Sequence, residues 1–439
     1  MTPRKTARTA SRSRGTTVAS RPRRSRKGLS GRRRVRKPKP RRCMICGSTE
    51  LLAGLDLGHQ PVGDLILSEA ELNEPETFYP MQVFQCAECG LSQLGYTVDP
   101  AVVYKNFPFV SGTTRTATRH LQSLAKKLVR MLDLGPRDLA VDIGSNDGTL
   151  LEGYARSKAT ILGVDPSGDP VRIANEKGIR TWHAFFDEDT AARARRELER
   201  AKAITACGCF AHIADLDGVM RGVDALLHKD GVFATDNQYW LDMVERLHYD
   251  NVFHQHLRNY SLEPYQALMA QYGLEVFDVE RSEVYGGSIR FFACRAGRYP
   301  IHRRVRRLEA EEAKAKLYEP KTLAAWTRKI EKKRDKLFDA VYSRVKKGQK
   351  VIGLGAPAKA STVMNYCGLD RRLVEYVTEI NPLRIGFHVP GVHVPIVDEQ
   401  WMFDDPRPAD AGILFAWNYH DEVVPKLRAK GWKGKVLLP

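Results

Sequence analysis

With 439 residues the chain is long enough for two to four domains and a large buried core. Its formal net charge is +18, but residues 1–42 hold 18 Lys or Arg and no Asp or Glu, so the remainder is neutral. That location excludes a folded body that binds nucleic acid through overall charge. The tail, residues 1–42, is rich in Arg, Ser, Thr and Pro and too poor in large apolar residues to fold alone. It is expected to be a disordered, solvated extension. Any binding to nucleic acid or an anionic surface would be sequence-independent, through counterion release. A transit peptide would share this composition but needs an apolar helical face, which the tail lacks. No secretory apolar region and no apolar stretch of about 18 residues occurs, so no membrane span is expected. Eight cysteines, four of them in two C-x-x-C pairs, make no disulfide framework in a chain this large. The expectation is a reducing, cytoplasmic setting.

Residues 43–100 read as a small zinc-binding domain. Cys43-Met44-Ile45-Cys46 and Cys86-Ala87-Glu88-Cys89 are each followed by glycine, which lets backbone amides turn towards thiolate sulfurs. Four thiolates suit one tetrahedral, structural zinc with no open position. The 39 residues between the pairs must hold an insert. Tyr104, Phe107, Phe109 and Ser111-Gly112-Thr113-Thr114 then lead into a basic amphipathic stretch from His120 to Leu132.

Residues 101–299 alternate strands and helices. Leu139-Ala140-Val141 runs into the turn Asp142-Ile143-Gly144-Ser145-Asn146-Asp147-Gly148, and Thr149, Leu150, Leu151 and Tyr154 follow in a helix-like pattern. This is the strand, glycine turn and helix of a nucleotide-binding α/β unit. The next strand, Ile161 to Val164, ends in Asp165, placed to accept both ribose hydroxyl hydrogens. The loop reads D-x-G-x-x-x-G rather than G-x-G-x-x-G, and an acidic residue before the first glycine suits a cationic or zwitterionic ligand. It resembles motif I of class I methyltransferases that use S-adenosylmethionine. Strand Ala203 to Ala206, a helix carrying Leu226 and Leu227, and strand Val232 to Thr235 ending at Asp236 come next. Runs at Leu274–Val279 and Ser288–Ala293 would pair antiparallel at the sheet edge.

Residues 300–349 are charged and helical, a solvated connector. Residues 350–439 open a second, Rossmann-like α/β domain at Val351-Ile352-Gly353-Leu354-Gly355-Ala356-Pro357-Ala358-Lys359, with Glu379 near the next strand end. An NAD site, another phosphate-bearing ligand and a structural turn all remain open there.

The densest cluster of polar and aromatic residues is Tyr249-Asp250-Asn251-Val252-Phe253-His254-Gln255-His256, after the fifth strand. His254 and His256 could be metal ligands, structural residues or a general base. No carboxylate or third histidine stands at ligand spacing, which makes metal the weakest reading. A histidine suits proton abstraction beside a carbonyl because its ordinary pKa is near neutrality. Activity is then expected to rise with pH through the histidine range.

Several ordered blocks add to these: Gln60-Pro61, Tyr285-Gly286-Gly287-Ser288-Ile289-Arg290, Asn365-Tyr366-Cys367-Gly368, Asn381-Pro382 and Pro390-Gly391. With them, from Cys43 to the C-terminus, the chain resembles the zinc-containing sugar C-methyltransferases that act on thymidine-diphosphate-linked keto-sugars. The resemblance implies a class I methyltransferase seven-stranded sheet between an N-terminal zinc-knuckle domain and a C-terminal Rossmann-like domain. It implies S-adenosylmethionine at Asp142, Gly144, Asn146, Asp147, Gly148 and Asp165, and a nucleotide-sugar at Tyr285, Gly287, Ser288, Arg290 and Lys359. His256 matches the family's base, with His254 and Gln255 beside it; an enolate carbon attacks the sulfonium methyl. The family loop typically reads Tyr-His-Glu-His, where this chain has Phe253 and Gln255. Glutamine cannot take a proton but can hydrogen-bond a sugar hydroxyl or orient a histidine. Gln255→Glu is expected to raise activity if the change merely weakened a two-base arrangement. Two other readings stand beside this one. One is methyl transfer to oxygen or nitrogen of a sugar-like substrate. The other is a zinc-knuckle, basic-tailed nucleic-acid-binding protein with an inactive methyltransferase domain.

Overall fold

Two cysteine turns and an alternating strand pair build the first layer. In the computed structural model, which describes residues 41–103 and 110–439, β1 (Leu51–Gln60) pairs antiparallel with β2 (Tyr79–Cys86), and β2 with β3 (Ser92–Leu94). Leu55, Leu57, Met81 and Val83 are buried on these strands. The register sets Leu51 opposite Cys86, so the first cysteine pair lies beside the second. Of the basic tail only Arg41 and Arg42 are described, and Arg41 lies over the Phe84 ring at 4.6 Å. Residues 1–40 and Tyr104, Phe107 and Phe109 lie outside the described residues.

The second layer is the expected seven-stranded sheet. β4 (Leu139–Ile143), β5 (Thr160–Asp165), β6 (Thr181–His183), β7 (Ala201–Cys207) and β8 (Leu227–Gln238) run parallel. β4 is buried along its whole length, which is why it reads as a continuous apolar run rather than an alternation. The helix Arg115–Leu132 turns Leu124, Ala125, Leu128 and Leu132 onto this sheet. Further along the chain come β9 (Arg258–Asn259), β10 (Leu274–Ser282) and β11 (Ser288–Arg295). β10 and β11 are antiparallel, and the sheet order is β10-β11-β8-β7-β4-β5-β6. β9 leaves this sheet altogether. It pairs with β3, completing a four-stranded zinc sheet β1-β2-β3-β9.

Two expectations change here. The chain after the glycine turn forms 3₁₀ turns over Leu151–Ser157 rather than a regular helix. Gly153 lies in this stretch, and a Cβ on it would stand 2.6 Å from Cβ of Ala125, so close packing on the preceding helix sets the backbone. Leu227 opens β8 instead of closing a helix, and β8 runs on through Lys229-Asp230-Gly231 and past Asp236. The turn signal of Asp230-Gly231 survives as a bulge inside the strand, where the register against β7 jumps from Ala201–Leu227 to Ala203–Val232.

The charged connector is more than a solvated link. Its helices, Arg303–Lys314 and Pro320–Val345, bury Leu308, Leu323, Trp326, Ile330 and Val341. Trp326 meets Trp240 edge-on at 5.0 Å, and buried Glu312 accepts from Tyr239 Oη at 2.7 Å and Leu262 N at 2.9 Å. Beyond it, β12 (Val351–Leu354), β13 (Val377–Glu379), β14 (Ile396–Asp398), β15 (Ala411–Leu414) and β16 (Lys435–Leu437) form a parallel sheet in the order β14-β13-β12-β15-β16. Among the described residues, no helix is long and apolar enough to cross a membrane.

Candidate active site

The glycine loop sits where a parallel sheet presents its ligands, at the carboxyl end of β4. Gly144 has φ 66°, and a Cβ there would stand 2.7 Å from Sγ of Cys209. Only glycine fits this turn. Asn146 also has a positive φ, 51°, and its Oδ1 accepts from Ser111 N at 2.8 Å. At the end of β5, Asp165 accepts from Asn146 N at 2.9 Å and Ser167 N at 2.7 Å, and burial raises its pKa. Gly144, Asn146, Gly148 and Asp165 thus gather around one turn. Asp142 and Asp147 are turned elsewhere. Asp142 accepts from the Thr205 hydroxyl at 2.6 Å, tying β4 to β7, and burial pushes its pKa up to about 7. Asp147 pairs with Lys177 at 2.9 Å and accepts from Thr149.

Neither Asp142 nor Asp165 has a salt-bridge partner among the described residues, and the Asp165 charge adds to the cost of ionising Asp142. Of the two, Asp165 is the one held at the glycine turn, by the Asn146 and Ser167 amides, where a strand-end carboxylate fits the ribose hydroxyls of the ligand. Asp165→Ala is expected to weaken S-adenosylmethionine binding by about 1–3 kcal/mol. Titration calorimetry reads it, and an unchanged affinity removes Asp165 from the site.

The histidine loop lies one turn away. Phe210–His212 follows β7, and Leu257 N donates to Ala211 O at 3.1 Å. This link sets the His212 and His256 rings 4.9 Å apart. Nδ1 of His256 lies 2.6 Å from the Asn251 carbonyl. Since a carbonyl only accepts, Nδ1 carries the proton and Nε2 has a free lone pair. Phe253 packs on the ring, with centroids 3.8 Å apart. Burial, aided by the Lys359 charge, lowers the His256 pKa to about 4. His254 points the other way, towards the zinc sheet, with its ring 5.9 Å from Tyr79 and its pKa lowered by burial to about 4. Gln255, 2% exposed, donates to Asp64 Oδ2 at 2.9 Å.

The C-terminal domain closes over this loop. Lys359, at the start of the helix Ala358–Cys367, reaches Asp250 at 3.3 Å and Asn418 at 3.0 Å and lies 4.1 Å over the Trp417 ring. The Tyr285-Gly286-Gly287 turn between β10 and β11 meets the same tryptophan. Tyr285 has φ 60°, a strained value for a tyrosine, and its ring meets His120 edge-on at 5.9 Å. Ser288 is buried at the start of β11. Arg290 is turned inward: it pairs with Asp236 at 2.8 Å and donates to the His120 carbonyl at 2.6 Å. His120 and Asp236, 2.5 Å apart, complete a buried cluster that sequence spacing did not reveal. Burial raises the Asp236 pKa, but His120 and Arg290 outweigh it and hold it below the usual carboxylate range. Only the position of Asp236 after an apolar run hinted at it. In the second glycine turn, Glu379 accepts from the amides of Ala356, Ile380 and Asn381, so its carboxylate braces the turn.

The four cysteine sulfurs lie within 4.8 Å of one another, with Cys43–Cys89 and Cys46–Cys86 each at 3.5 Å. Sulfurs about 2.3 Å from a tetrahedral zinc stand about 3.8 Å apart, so the cluster fits the metal. Ile45 N points to Cys43 Sγ at 3.5 Å.

Comparison with known proteins agrees with this layout. Residues 43–104 match a zinc binding domain, 117–279 a methyltransferase domain and 283–439 a C-methyltransferase C-terminal domain. The chain is 30% identical over 384 residues to C-methyltransferase NovU of Streptomyces niveus, covering 87% of this chain and 91% of that one. A ubiquinone biosynthesis O-methyltransferase of Actinobacillus pleuropneumoniae is 31% identical over 110 residues, 22% of this chain and 45% of its own. Among solved structures, magnesium protoporphyrin IX methyltransferase of Synechocystis with bound SAH overlaps 45% of this chain and 99% of its own, at 13% identity and a TM-score of 0.34. The match to a C-methyltransferase over 87% of the chain and the three domain matches in order place the chain in the zinc-containing C-methyltransferase family, as an enzyme that uses S-adenosylmethionine.

Proposed function

We propose that the enzyme methylates a carbon next to the ketone of a nucleotide-linked sugar, with His256 as the base. The observation that carries this is the setting of His256: Nδ1 faces the Asn251 carbonyl at 2.6 Å, which leaves Nε2 unprotonated in the neutral ring, and burial lowers its pKa. Bound at the glycine loop and Asp165, S-adenosylmethionine supplies an electrophilic methyl group on a sulfonium. Nε2 of His256 takes the proton from the carbon beside the ketone, and the electron pair is delocalised onto the ketone oxygen. Lys359, which pairs with Asp250 and is close enough to depress the His256 pKa, is assigned to stabilising that developing negative charge. The carbon end of the enolate is then the nucleophile, and positioning against the methyl supplies the rest. Tyr285, Gly287 and Ser288 are assigned to the sugar nucleotide, because their turn meets Trp417, over which Lys359 lies. Arg290 is assigned to holding His120 and Asp236 rather than to touching substrate. Zinc stays structural.

The test is incubation of the enzyme with thymidine-diphosphate-linked keto-sugars and S-adenosylmethionine in deuterated water. The expected result is a new carbon–methyl bond, with deuterium entering the adjacent carbon when the methyl donor is withheld. Methyl transfer to oxygen or nitrogen, without exchange, would replace this reading with the heteroatom one.

A further inference from the structure

Residues 62–65 of the zinc domain form a turn closed by Leu65 N donating to Val62 O. The turn presses on the C-terminal domain. A Cβ at Gly63 would stand 2.5 Å from the Ala358 carbonyl oxygen, so only glycine allows the approach. Beside it, buried Asp64 sends its two oxygens to different parts of the protein. Oδ1 accepts from Nη2 of Arg384, in the C-terminal domain, and Oδ2 accepts from Nε2 of Gln255, in the His256 loop, at 2.9 Å. Arg384 in turn donates to the Ala356 carbonyl at 3.0 Å. Gln255 Nε2 is therefore taken, while its Oε1 is buried with no hydrogen-bond partner among the described residues. An orphaned buried acceptor is costly. One residue from His256, it suits a hydroxyl group that arrives with the substrate.

We propose that Asp64 is a positioning residue for methyl transfer: by holding Nε2 of Gln255, it presents Oε1 beside His256 as the acceptor for a substrate hydroxyl. This rests on reading the His256 loop as the catalytic loop. The orientation follows from donor and acceptor chemistry. Arg384 only donates, so after Asp64→Asn the new amide must give Arg384 its oxygen and offer position 255 its hydrogens. Gln255 must then turn over and show the substrate a donor. Adding Gln255→Glu to Asp64→Asn restores the polarity, because the introduced carboxylate accepts from the introduced amide and presents an acceptor oxygen. It also returns a negative charge to the neighbourhood of Arg384. Gln255→Glu alone places two carboxylates at hydrogen-bond distance, which reverses the gain expected from sequence for that substitution.

Initial rates of the full-length, zinc-loaded enzyme decide the matter, measured against a thymidine-diphosphate-linked keto-sugar at saturating S-adenosylmethionine. Asp64→Asn and Gln255→Leu are each expected to raise KM by about tenfold or more, with a smaller change in kcat. Gln255→Glu should fall below wild type, and Asp64→Asn with Gln255→Glu should recover most of the lost kcat/KM. Gln255→Leu leaves the Asp64–Arg384 pair intact, so the result is readable even if Asp64→Asn unfolds. A wild-type KM in Gln255→Leu, or a double variant no better than its parents, overturns the role of Asp64 alone. A wild-type enzyme that neither methylates nor exchanges any keto-sugar nucleotide overturns the functional reading and this one with it.

Discussion

Replacing His256 by alanine is expected to lower methyl transfer by about 10²–10⁴-fold, the usual contribution of a positioned base. Deuterium exchange at the substrate carbon should disappear with it. S-adenosylmethionine binding should be nearly unchanged, because the Asp165 turn is built from other residues. His254→Ala should cost much less turnover, since its ring packs against Tyr79 of the zinc sheet. The pH profile separates base from scaffold. The working form of His256 is neutral, and burial with the Lys359 charge lowers its pKa to about 4. At saturating S-adenosylmethionine the limb of the profile due to His256 should therefore appear only as pH falls towards about 4, as the imidazole takes a proton. Spacing alone pointed to a rise through the ordinary histidine range; the enclosed loop moves that limb downward. Exchange that persists in His256→Ala but vanishes in His254→Ala would transfer the role to His254.

Cys86→Ser is expected to release zinc and to abolish activity, although zinc touches no reacting atom. Purified wild-type protein should carry about one zinc per chain, held by Cys43, Cys46, Cys86 and Cys89. Structural zinc contributes folding free energy on the order of 10 kcal/mol in small zinc modules, far more than the short sheet around it can replace. The loss reaches the active site by a short route. β3 pairs with β9, and Leu94 N donates to Leu257 O at 2.9 Å, so the strand that follows His256 is anchored on the zinc sheet. Elemental analysis and turnover of the same preparation provide the check. Zinc absent from active protein purified without chelator, with all four thiols freely titratable, would reject the site. Full turnover in Cys86→Ser would reject the coupling.

What the sequence determined by itself were the features written within a few residues. The cysteine pairs, the Asp142–Gly148 turn, Asp165 at the end of its strand and the antiparallel edge strands come from spacing, glycine conformation and apolar runs. These signals need no knowledge of distant partners, and together with the family resemblance they sufficed to expect the seven-stranded sheet. Tertiary structure decided which polar groups meet. Asp64 and Gln255 are 191 positions apart, and Asp64 and Arg384 are 320 apart. β9 joins a sheet begun near Leu51, and Arg290 meets His120 and Asp236. The charge state of His256 is of the same kind. Its pKa is set by desolvation beneath Phe253 and by a lysine more than a hundred positions away, and no local pattern encodes how much water surrounding segments exclude.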